Sequence, residues 1–155
     1  MADDDLQSRS DEIGRMAQDR SVRIAAAESL TSGAIASALG RGEEASEWFA
    51  GGVVAYAESV KRDVLGVTAT SVLTAQCARE LATGVARLLD ADVAVAVTGV
   101  GGPDPEEGLP AGTVYAAVCV GDEVTDATWR FEGDPAAVVE QTVMAALGLA
   151  HRALG

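Results

Sequence analysis

The sequence predicts an α/β fold in which helices are layered on both faces of a mixed β-sheet (α/β/α), and two patterns carry this prediction. Short apolar runs, typical of buried strands, alternate with longer segments of helical periodicity. Two of the runs flank Gly121-Asp122, which predicts a closing hairpin. The predicted strands span residues 22–28, 51–57, 93–98, 113–120 and 124–131. This order indicates a single domain over residues 1–155, with residues 1–5 forming a flexible tail.

Helices are predicted before, between and after these strands. They span residues 6–20, 31–39, 59–65, 74–89 and 134–154. The clearest is 74–89, where apolar residues recur at helical spacing and Thr74 can cap the N-terminus. Asp134 followed by Pro135 marks the start of the last helix.

Composition restricts the classes of function. Hydrophobic residues make up 48% of the chain and aromatic residues 4%, so we expect one core built mainly from Ala, Val, Leu and Ile. The net charge of −13 argues against binding to nucleic acid, which needs Lys and Arg to neutralise phosphates. No apolar run is long enough to span a membrane, and the acidic N-terminus is unlike a signal peptide. We therefore expect a cytoplasmic protein.

Histidine and cysteine offer little for catalysis or metal binding. His151 is the one histidine and lies near the end of the chain, which disfavours a Ser-His-Asp triad. Cys77 and Cys119 lie in apolar segments and form no CxxC pair, so we interpret both as buried small hydrophobes. Because zinc sites need several clustered ligands, the sequence predicts neither a metal site nor a cofactor.

A serine at a turn is the first candidate catalytic group. Ser29 ends the first apolar run, at a predicted strand-to-helix turn where a side chain is exposed. Thr31, Ser32 and Gly33 follow it, and backbone N–H groups at a helix start can stabilise an oxyanion. The alternative is that Ser29 only caps the next helix, a common role for serine.

A lysine is the candidate base for this serine. Lys61 is the single lysine among 11 basic residues. A lysine that is buried can lose its proton and act as a base, whereas an arginine cannot. Tyr56, five positions earlier, can hydrogen-bond within the same site. The alternatives are a solvated Lys61 paired with Glu58 and a Tyr56 packed in the core.

The segment after the third strand is a candidate ligand-binding loop. Thr98, Gly99, Gly101 and Gly102 fall where ligands bind in α/β folds, and glycine lets backbone N–H groups approach a ligand closely. The spacing fits neither a dinucleotide-binding GxGxxG helix nor a P-loop. The alternative is a plain turn.

The order and spacing of several short motifs point to a known family, although each motif alone is weak. The motifs are 27–33 (AESLTSG), 48–49 (WF), 51–56 (GGVVAY) through Lys61 to 66–67, 98–104 (TGVGGPD), 110–114 (PAGTV) and 131–134 (FEGD). Together they cover nearly the whole chain. They resemble the C-terminal domain of the competence/damage-inducible protein CinA, a family whose stand-alone form is a nicotinamide-nucleotide amidohydrolase.

The resemblance implies an activity and a set of site residues. The activity is deamidation of nicotinamide mononucleotide to nicotinate mononucleotide, with release of ammonia. Ser29 would be the nucleophile and Lys61 the base, with Tyr56 assisting, and Ser46 would match a substrate-binding serine. Together with the candidates above, the expected substrate-binding positions are Thr31, Ser32, Gly33, Ser46, Thr98, Gly99, Gly101, Gly102 and Arg130.

The chain departs from the family pattern at four positions. Leu30 replaces a cysteine, and Ser32 replaces a glycine beside the expected oxyanion. Pro135 and Glu140 stand where the family commonly has arginines, one of which is implicated in holding the substrate's phosphate. Arg130 and the loop N–H groups are the remaining candidates for that contact.

These departures leave two alternative functions beside the expected one. The first is a Ser/Lys amidohydrolase that acts on another carboxamide. The second is a catalytically silent ligand-binding or interaction module of the same fold. In each case we expect a small-molecule ligand, a pyridine nucleotide for the first-named function, rather than nucleic acid or membrane. We also expect a homo-oligomer, because small-residue α/β domains often self-associate.

Overall fold

The computed structural model describes residues 2–155, with Ala2 described by its backbone alone. Its helices are α1 (Ala2–Arg20), α2 (Ala34–Gly40), α3 (Ala45–Trp48), α4 (Glu58–Asp63), α5 (Ala75–Leu89) and α6 (Pro135–Leu154). Its strands are β1 (Ile24–Glu28), β2 (Phe49–Val54), β3 (Val93–Gly99), β4 (Thr113–Val120) and β5 (Glu123–Arg130).

One mixed sheet organises the chain, and its strand order is β2-β1-β3-β4-β5. Strands β1, β2 and β3 are parallel, whereas β4 pairs antiparallel with both β3 and β5. Helices α1, α2 and α6 pack on one face, and α5 packs on the other. The predicted layered α/β fold is therefore confirmed.

Alternating side chains along β1 divide the core into two layers. Ile24 and Ala26 belong to the cluster formed with α1, α2 and α6, and Ala25 and Ala27 belong to the cluster formed with α5. The small alanines let α5 approach the sheet closely. The cysteines Cys77 and Cys119 are buried in this second layer, as predicted.

Two helix starts follow the predicted capping. The Thr74 hydroxyl accepts a hydrogen bond from the Cys77 N–H at the start of α5. The Asp134 carboxylate accepts one from the Ala137 N–H at the start of α6, where Pro135 occupies the first turn. Both contacts satisfy backbone donors that have no partner inside the helix.

Several boundaries differ from the prediction. Helix α1 begins at Ala2, so residues 2–5 are helical where a flexible tail was expected, and residue 1 lies outside the described residues. Helix α2 begins at Ala34 instead of 31, because Ser32 and Gly33 adopt left-handed φ values of 51° and 102°. Residues 45–48, between the predicted helix 31–39 and the predicted strand 51–57, form the short helix α3.

Within residues 2–155, no helix combines the length and the apolar character that a membrane span requires.

Candidate active site

The predicted site segments meet at one edge of the sheet. Because β1, β2 and β3 are parallel, their C-terminal ends lie at the same edge of the sheet. Strand β1 lies between β2 and β3, so the chain segments that follow these strands diverge at this edge, where ligands bind in α/β folds. A cavity of about 340 Å³ opens there. Its wall is formed by Ser29, Leu30, Tyr56, Glu58, Lys61, Val72, Leu73, Thr98, Gly99, Gly101, Gly102, Glu106, Pro135 and Val139.

Ser29 presents its hydroxyl to this cavity. It directly follows β1, and only 7% of its surface is exposed. Within residues 2–155 no protein group hydrogen-bonds to the Ser29 hydroxyl, although its oxygen is not sealed from solvent. The alternative role as a helix cap is wrong, since the residue at the N-cap of α2 is Gly33.

Lys61 is buried beside the same cavity. Its side chain projects from α4 with 3% of its surface exposed, and Nζ donates a hydrogen bond to the Tyr56 carbonyl at 3.2 Å. The alternative of a solvated lysine is therefore wrong. Burial lowers the pKa of Lys61 below its ordinary value of 10.5, although Cys77, Glu58 and Glu106 act in the opposite direction. Desolvation thus favours the neutral amine that a base requires.

Cys77 lies beneath Lys61, and its protonation state decides how strongly it opposes this effect. Burial raises the pKa of the Cys77 thiol to about 11. The thiol is therefore uncharged at neutral pH, so its attraction for a lysine cation is weak there. For the same reason the fully buried Cys77 is a poor nucleophile.

Ser29 and Lys61 share the cavity wall, but the structure shows no hydrogen bond between Oγ and Nζ. The one hydrogen bond of Nζ goes to the Tyr56 carbonyl. Catalytic hydrogen bonds commonly tighten only when substrate binds, so this geometry is compatible with a base that moves toward the serine. Tyr56 itself lines the cavity with 68% of its surface exposed, which excludes the alternative of a core tyrosine.

One of the expected oxyanion donors in the turn after Ser29 is already used within the protein. The Ser32 N–H donates to the Ser29 carbonyl, and the Thr31 hydroxyl donates to Glu28. None of Thr31, Ser32 and Gly33 lines this cavity, and their role as substrate-binding positions stays a prediction.

A buried glutamate accounts for this arrangement. Glu28 is fully buried, and its carboxylate accepts hydrogen bonds from the Thr31 hydroxyl at 2.5 Å, the Ile35 N–H at 3.0 Å and the Ala36 N–H at 2.8 Å. The positive end of α2 is therefore occupied by a side chain of the protein. The sequence contained one signal for this role, since Glu28 is the only charged residue of the buried run 24–28.

Three backbone N–H groups in the cavity wall are further candidate donors. Leu30, Gly101 and Gly102 line it, and within residues 2–155 none of their N–H groups donates a hydrogen bond to the protein. The glycine at 102 is required by its φ of 87° and by Ala111, whose Cβ would lie 2.9 Å from an added Cβ. These N–H groups are the candidates for holding an oxyanion.

Thr98 supports this loop from below. It is fully buried at the end of β3, and its hydroxyl donates to the Val72 carbonyl at 2.8 Å. Gly99 follows it, where a Cβ would collide with the Thr113 carbonyl. The predicted loop residues Thr98, Gly99, Gly101 and Gly102 thus all border the cavity.

Two predicted substrate contacts lie elsewhere. Ser46 is exposed and precedes β2, whose first residue Phe49 pairs with Ile24 at the start of β1. The length of β1, five residues and about 16 Å, therefore separates it from Ser29. Arg130 ends β5, two strands from β3 and so about 10 Å away, and it does not border the cavity. Both residues lie outside the cavity wall, and their contacts with a substrate stay predictions.

The charges around the cavity are mainly negative. Lys61 is the one cationic side chain in its wall, and Glu58 and Glu106 are the two acidic ones. Pro135 borders the cavity as an apolar residue, whereas Glu140 lies outside it. Sequence analysis missed Glu106, because a glutamate in a Gly/Pro-rich loop carries no periodic pattern that would place it.

His151 does not border this cavity. The His151 Nε2 lies 2.9 Å from a carboxylate oxygen of Glu12, between α6 and α1. No group of three or more His, Cys, Asp or Glu side chains converges within residues 2–155 in a way that suits a metal ion.

Sequence comparisons match this chain to one protein family. The family profile described as "CinA C-terminal domain" matches residues 6–154. A putative competence-damage inducible protein of Desulforamulus reducens is 40% identical over 147 residues, which cover 92% of this chain and 36% of that protein. One from Bacillus pumilus is 34% identical over 145 residues, covering 90% of this chain and 34% of that protein. The chain thus spans about a third of the length of these curated relatives.

Solved structures match over nearly the whole chain. A competence-damaged protein (CinA) superfamily protein from Klebsiella pneumoniae superposes with a TM-score of 0.92 at 34% identity, covering 96% of this chain and 97% of that one. One from Escherichia coli gives a TM-score of 0.90 at 33% identity, covering 96% and 90%. The fold described above is therefore the fold of these proteins.

Proposed function

The chain belongs to the CinA C-terminal domain family, and we propose that it is an amidohydrolase that deamidates nicotinamide mononucleotide through a Ser29/Lys61 acyl-enzyme mechanism. The observation that carries this proposal is the shared cavity, whose wall contains both Ser29 and the buried Lys61. Within residues 2–155 the Ser29 hydroxyl has no hydrogen-bond partner. A neutral amine and a hydroxyl in one partly enclosed site are the parts that Ser/Lys acyl transfer needs.

The first half of the reaction forms the acyl-enzyme. Neutral Lys61 takes the proton from the Ser29 hydroxyl as Oγ forms a bond to the carboxamide carbon. The carbonyl oxygen becomes an oxyanion, which the N–H groups of Leu30, Gly101 and Gly102 can stabilise. The bond from carbon to nitrogen then breaks, and the leaving nitrogen receives the proton from the Lys61 ammonium and departs as ammonia.

The second half releases the acid. Lys61, neutral again, takes a proton from a water molecule whose oxygen attacks the ester carbon. The bond from carbon to Ser29 Oγ breaks, and Oγ recovers its proton from Lys61. The products are nicotinate mononucleotide and free enzyme, and both half-reactions use the same base.

A second candidate substrate is a carboxamide without a phosphate. Lys61 is the one cation in the cavity wall, Pro135 contributes an apolar surface, and Arg130 lies outside. A phosphate bound in this cavity would therefore depend on backbone N–H groups alone. This observation favours the same chemistry on a smaller substrate.

The experiment that separates these functions is an ammonia-release assay with purified protein. Nicotinamide mononucleotide, nicotinamide riboside and nicotinamide are compared at equal concentration, with the Ser29→Ala variant as control. Ammonia from the mononucleotide, abolished in Ser29→Ala, supports the proposal. Ammonia from the riboside alone favours the second candidate. Ligand-induced thermal stabilisation without ammonia from any of the three would favour a silent binding module and refute both.

A further inference from the structure

The acidic groups of the cavity have no part in the acyl-transfer steps. Glu58 and Glu106 border the same space as Ser29 and Lys61. Both are close enough to Lys61 to act on its charge. When Lys61 is neutral, as the mechanism requires, these two carboxylates leave the cavity with a net negative charge. A ligand in this position therefore experiences a field that favours positive charge.

The two carboxylates differ in how free they are. The Glu58 carboxylate pairs with Arg62 Nε at 3.3 Å, within α4. The Glu106 backbone is fixed by reciprocal hydrogen bonds with Leu109, at 3.0 and 2.8 Å, while within residues 2–155 its carboxylate has no partner. Glu106 therefore offers the stronger uncompensated charge, on a loop segment whose backbone is held in place.

A second observation shows that this space is built for a ligand. Ser29 is more than nine-tenths buried, and its hydroxyl faces the cavity without a protein partner. Buried polar groups are normally hydrogen-bonded, so an open hydroxyl of this kind marks a place where a polar ligand group binds. Glu106 and Glu58 border the same cavity.

We propose that Glu106, assisted by Glu58, is a specificity-determining residue that selects carboxamides carrying a positive charge, in particular N-alkylpyridinium carboxamides, without need of a phosphate. The proposal rests on the proposed amidase function and names its substrate class. A pyridine nitrogen that bears a sugar or an alkyl group is a permanent cation, whereas free nicotinamide is neutral at pH 7. The acidic cavity therefore distinguishes the two by charge instead of by size.

The same charges assist release of the product. Hydrolysis converts a neutral carboxamide into a carboxylate, and this new negative charge appears beside Ser29 in a cavity that already holds two carboxylates. Like charges within one cavity repel each other, so the acid product leaves the cavity more readily than the amide substrate does.

Binding of a matched pair of ligands tests this inference directly. 1-Methylnicotinamide is a cation without sugar or phosphate, and nicotinamide is its neutral counterpart. Calorimetric titration of the Ser29→Ala protein, which cannot turn the ligands over, should show tighter binding of the cation by about three- to fivefold, the range expected for a charge pair open to solvent. Glu106→Gln should remove this preference, whereas Asp104→Asn, an equal loss of charge in the same loop but outside the cavity wall, should keep it.

Kinetics of the active enzyme separate this inference from the amidase proposal. With any substrate that releases ammonia, Glu106→Gln should raise KM for cationic amides about three- to fivefold and leave kcat within a factor of two. Equal binding of the two ligands, or equal loss of preference in Glu106→Gln and Asp104→Asn, would overturn the inference even if the protein is an active amidase. Because the titration uses binding alone, it decides the inference even for a protein that releases no ammonia.

Discussion

The carboxylate of Glu28 accepts a hydrogen bond from the Thr31 hydroxyl at 2.5 Å, and this contact spans the turn that carries Ser29. Two more hydrogen bonds, from the Ile35 and Ala36 N–H groups, tie the same carboxylate to the first turn of α2. Gly33 at the N-cap provides no side chain, so Glu28 satisfies these donors from the end of β1. The position of the candidate nucleophile thus depends on a neighbour that does not touch the substrate cavity.

Replacement of this carboxylate by an amide should destabilise the protein. In Glu28→Gln the new NH2 group faces donors, so at least one buried hydrogen bond is lost and one donor is left unpaired. We expect the free energy of unfolding to fall by about 2–3 kcal/mol in chemical denaturation. Glu123→Gln, at an exposed position in β5, is the matched control and should change it by less than about 0.5 kcal/mol. Equal stability of the two variants would contradict the role given to Glu28.

The pH dependence of activity should report the protonation of Lys61. Burial lowers the pKa of this amine from 10.5, and the base is active only when it is neutral. The value of kcat/KM should therefore rise with pH and reach a plateau above the pKa of Lys61, at a pH below 10.5. Lys61→Arg should be inactive at every pH, because a guanidinium keeps its proton. A flat profile, or an active arginine variant, would argue against Lys61 as the base.

Removal of the same amine should stabilise the fold. Because the folded pKa of Lys61 lies below its ordinary value of 10.5, the unfolded chain binds more protons between those two values, and stability rises with pH across that window. The cost of burying the charge is fully present below the folded pKa. Lys61→Met should thus raise the free energy of unfolding by about 1–2 kcal/mol at neutral pH, and it should abolish activity because the base is lost.

The difference in the free energy of unfolding between Lys61→Met and the parent protein should shrink as the pH rises toward 10.5, because the lowered pKa makes Lys61 lose its proton in the folded chain before it does so in the unfolded chain. Chemical denaturation of both proteins at pH 7 and pH 10 measures this difference. The effects of other titrating groups are the same in both proteins, so they cancel in the comparison. A stabilisation that grows with pH would contradict the assignment of a depressed lysine pKa.

An arginine at the cavity wall should create a preference for phosphate. Pro135 borders the cavity, and the resemblance to the family implies an arginine at this position. Pro135→Arg should raise the ratio of kcat/KM for nicotinamide mononucleotide over nicotinamide riboside by about ten- to a hundredfold, since a charge-assisted hydrogen bond contributes about 1.5–3 kcal/mol. Ala136→Arg is the control, because the next position lies outside this cavity. If both variants change the ratio equally, the added positive charge acts on the phosphate from outside the cavity, and the prediction of a specific contact at position 135 is wrong.

Local patterns in the sequence were enough to predict most of the fold. Thr74 and Asp134 cap helices as expected, because capping depends on residues three positions apart. Pro135 occupies the first turn of α6, also as expected. The start of α2 was wrong because Ser32 and Gly33 adopt left-handed backbone conformations that no periodic pattern reveals. The capping of α2 by Glu28 spans seven and eight residues, which is beyond the reach of local rules.

The candidate site was predictable where strand ends decide position. Ser29, Lys61 and Thr98 border one cavity because each follows or ends a parallel strand, or lies on the helix after one. The positions of Ser46 and Arg130 outside this cavity could not be predicted, because their distance from Ser29 depends on strand order and register, which single motifs do not contain. Glu106 joins the site through a loop whose course is not encoded by periodicity.

Trapping of the acyl-enzyme tests the central claim most directly. Purified protein is mixed with nicotinamide mononucleotide, quenched in acid within milliseconds, and examined by mass spectrometry of the intact chain and its peptides. The mechanism predicts that the acyl group of nicotinate mononucleotide, with its ribose and phosphate still attached, is esterified to the peptide that contains Ser29, and that this adduct is absent from Ser29→Ala and from Lys61→Arg. Ammonia release that persists in Ser29→Ala, or an adduct on another residue, would contradict it.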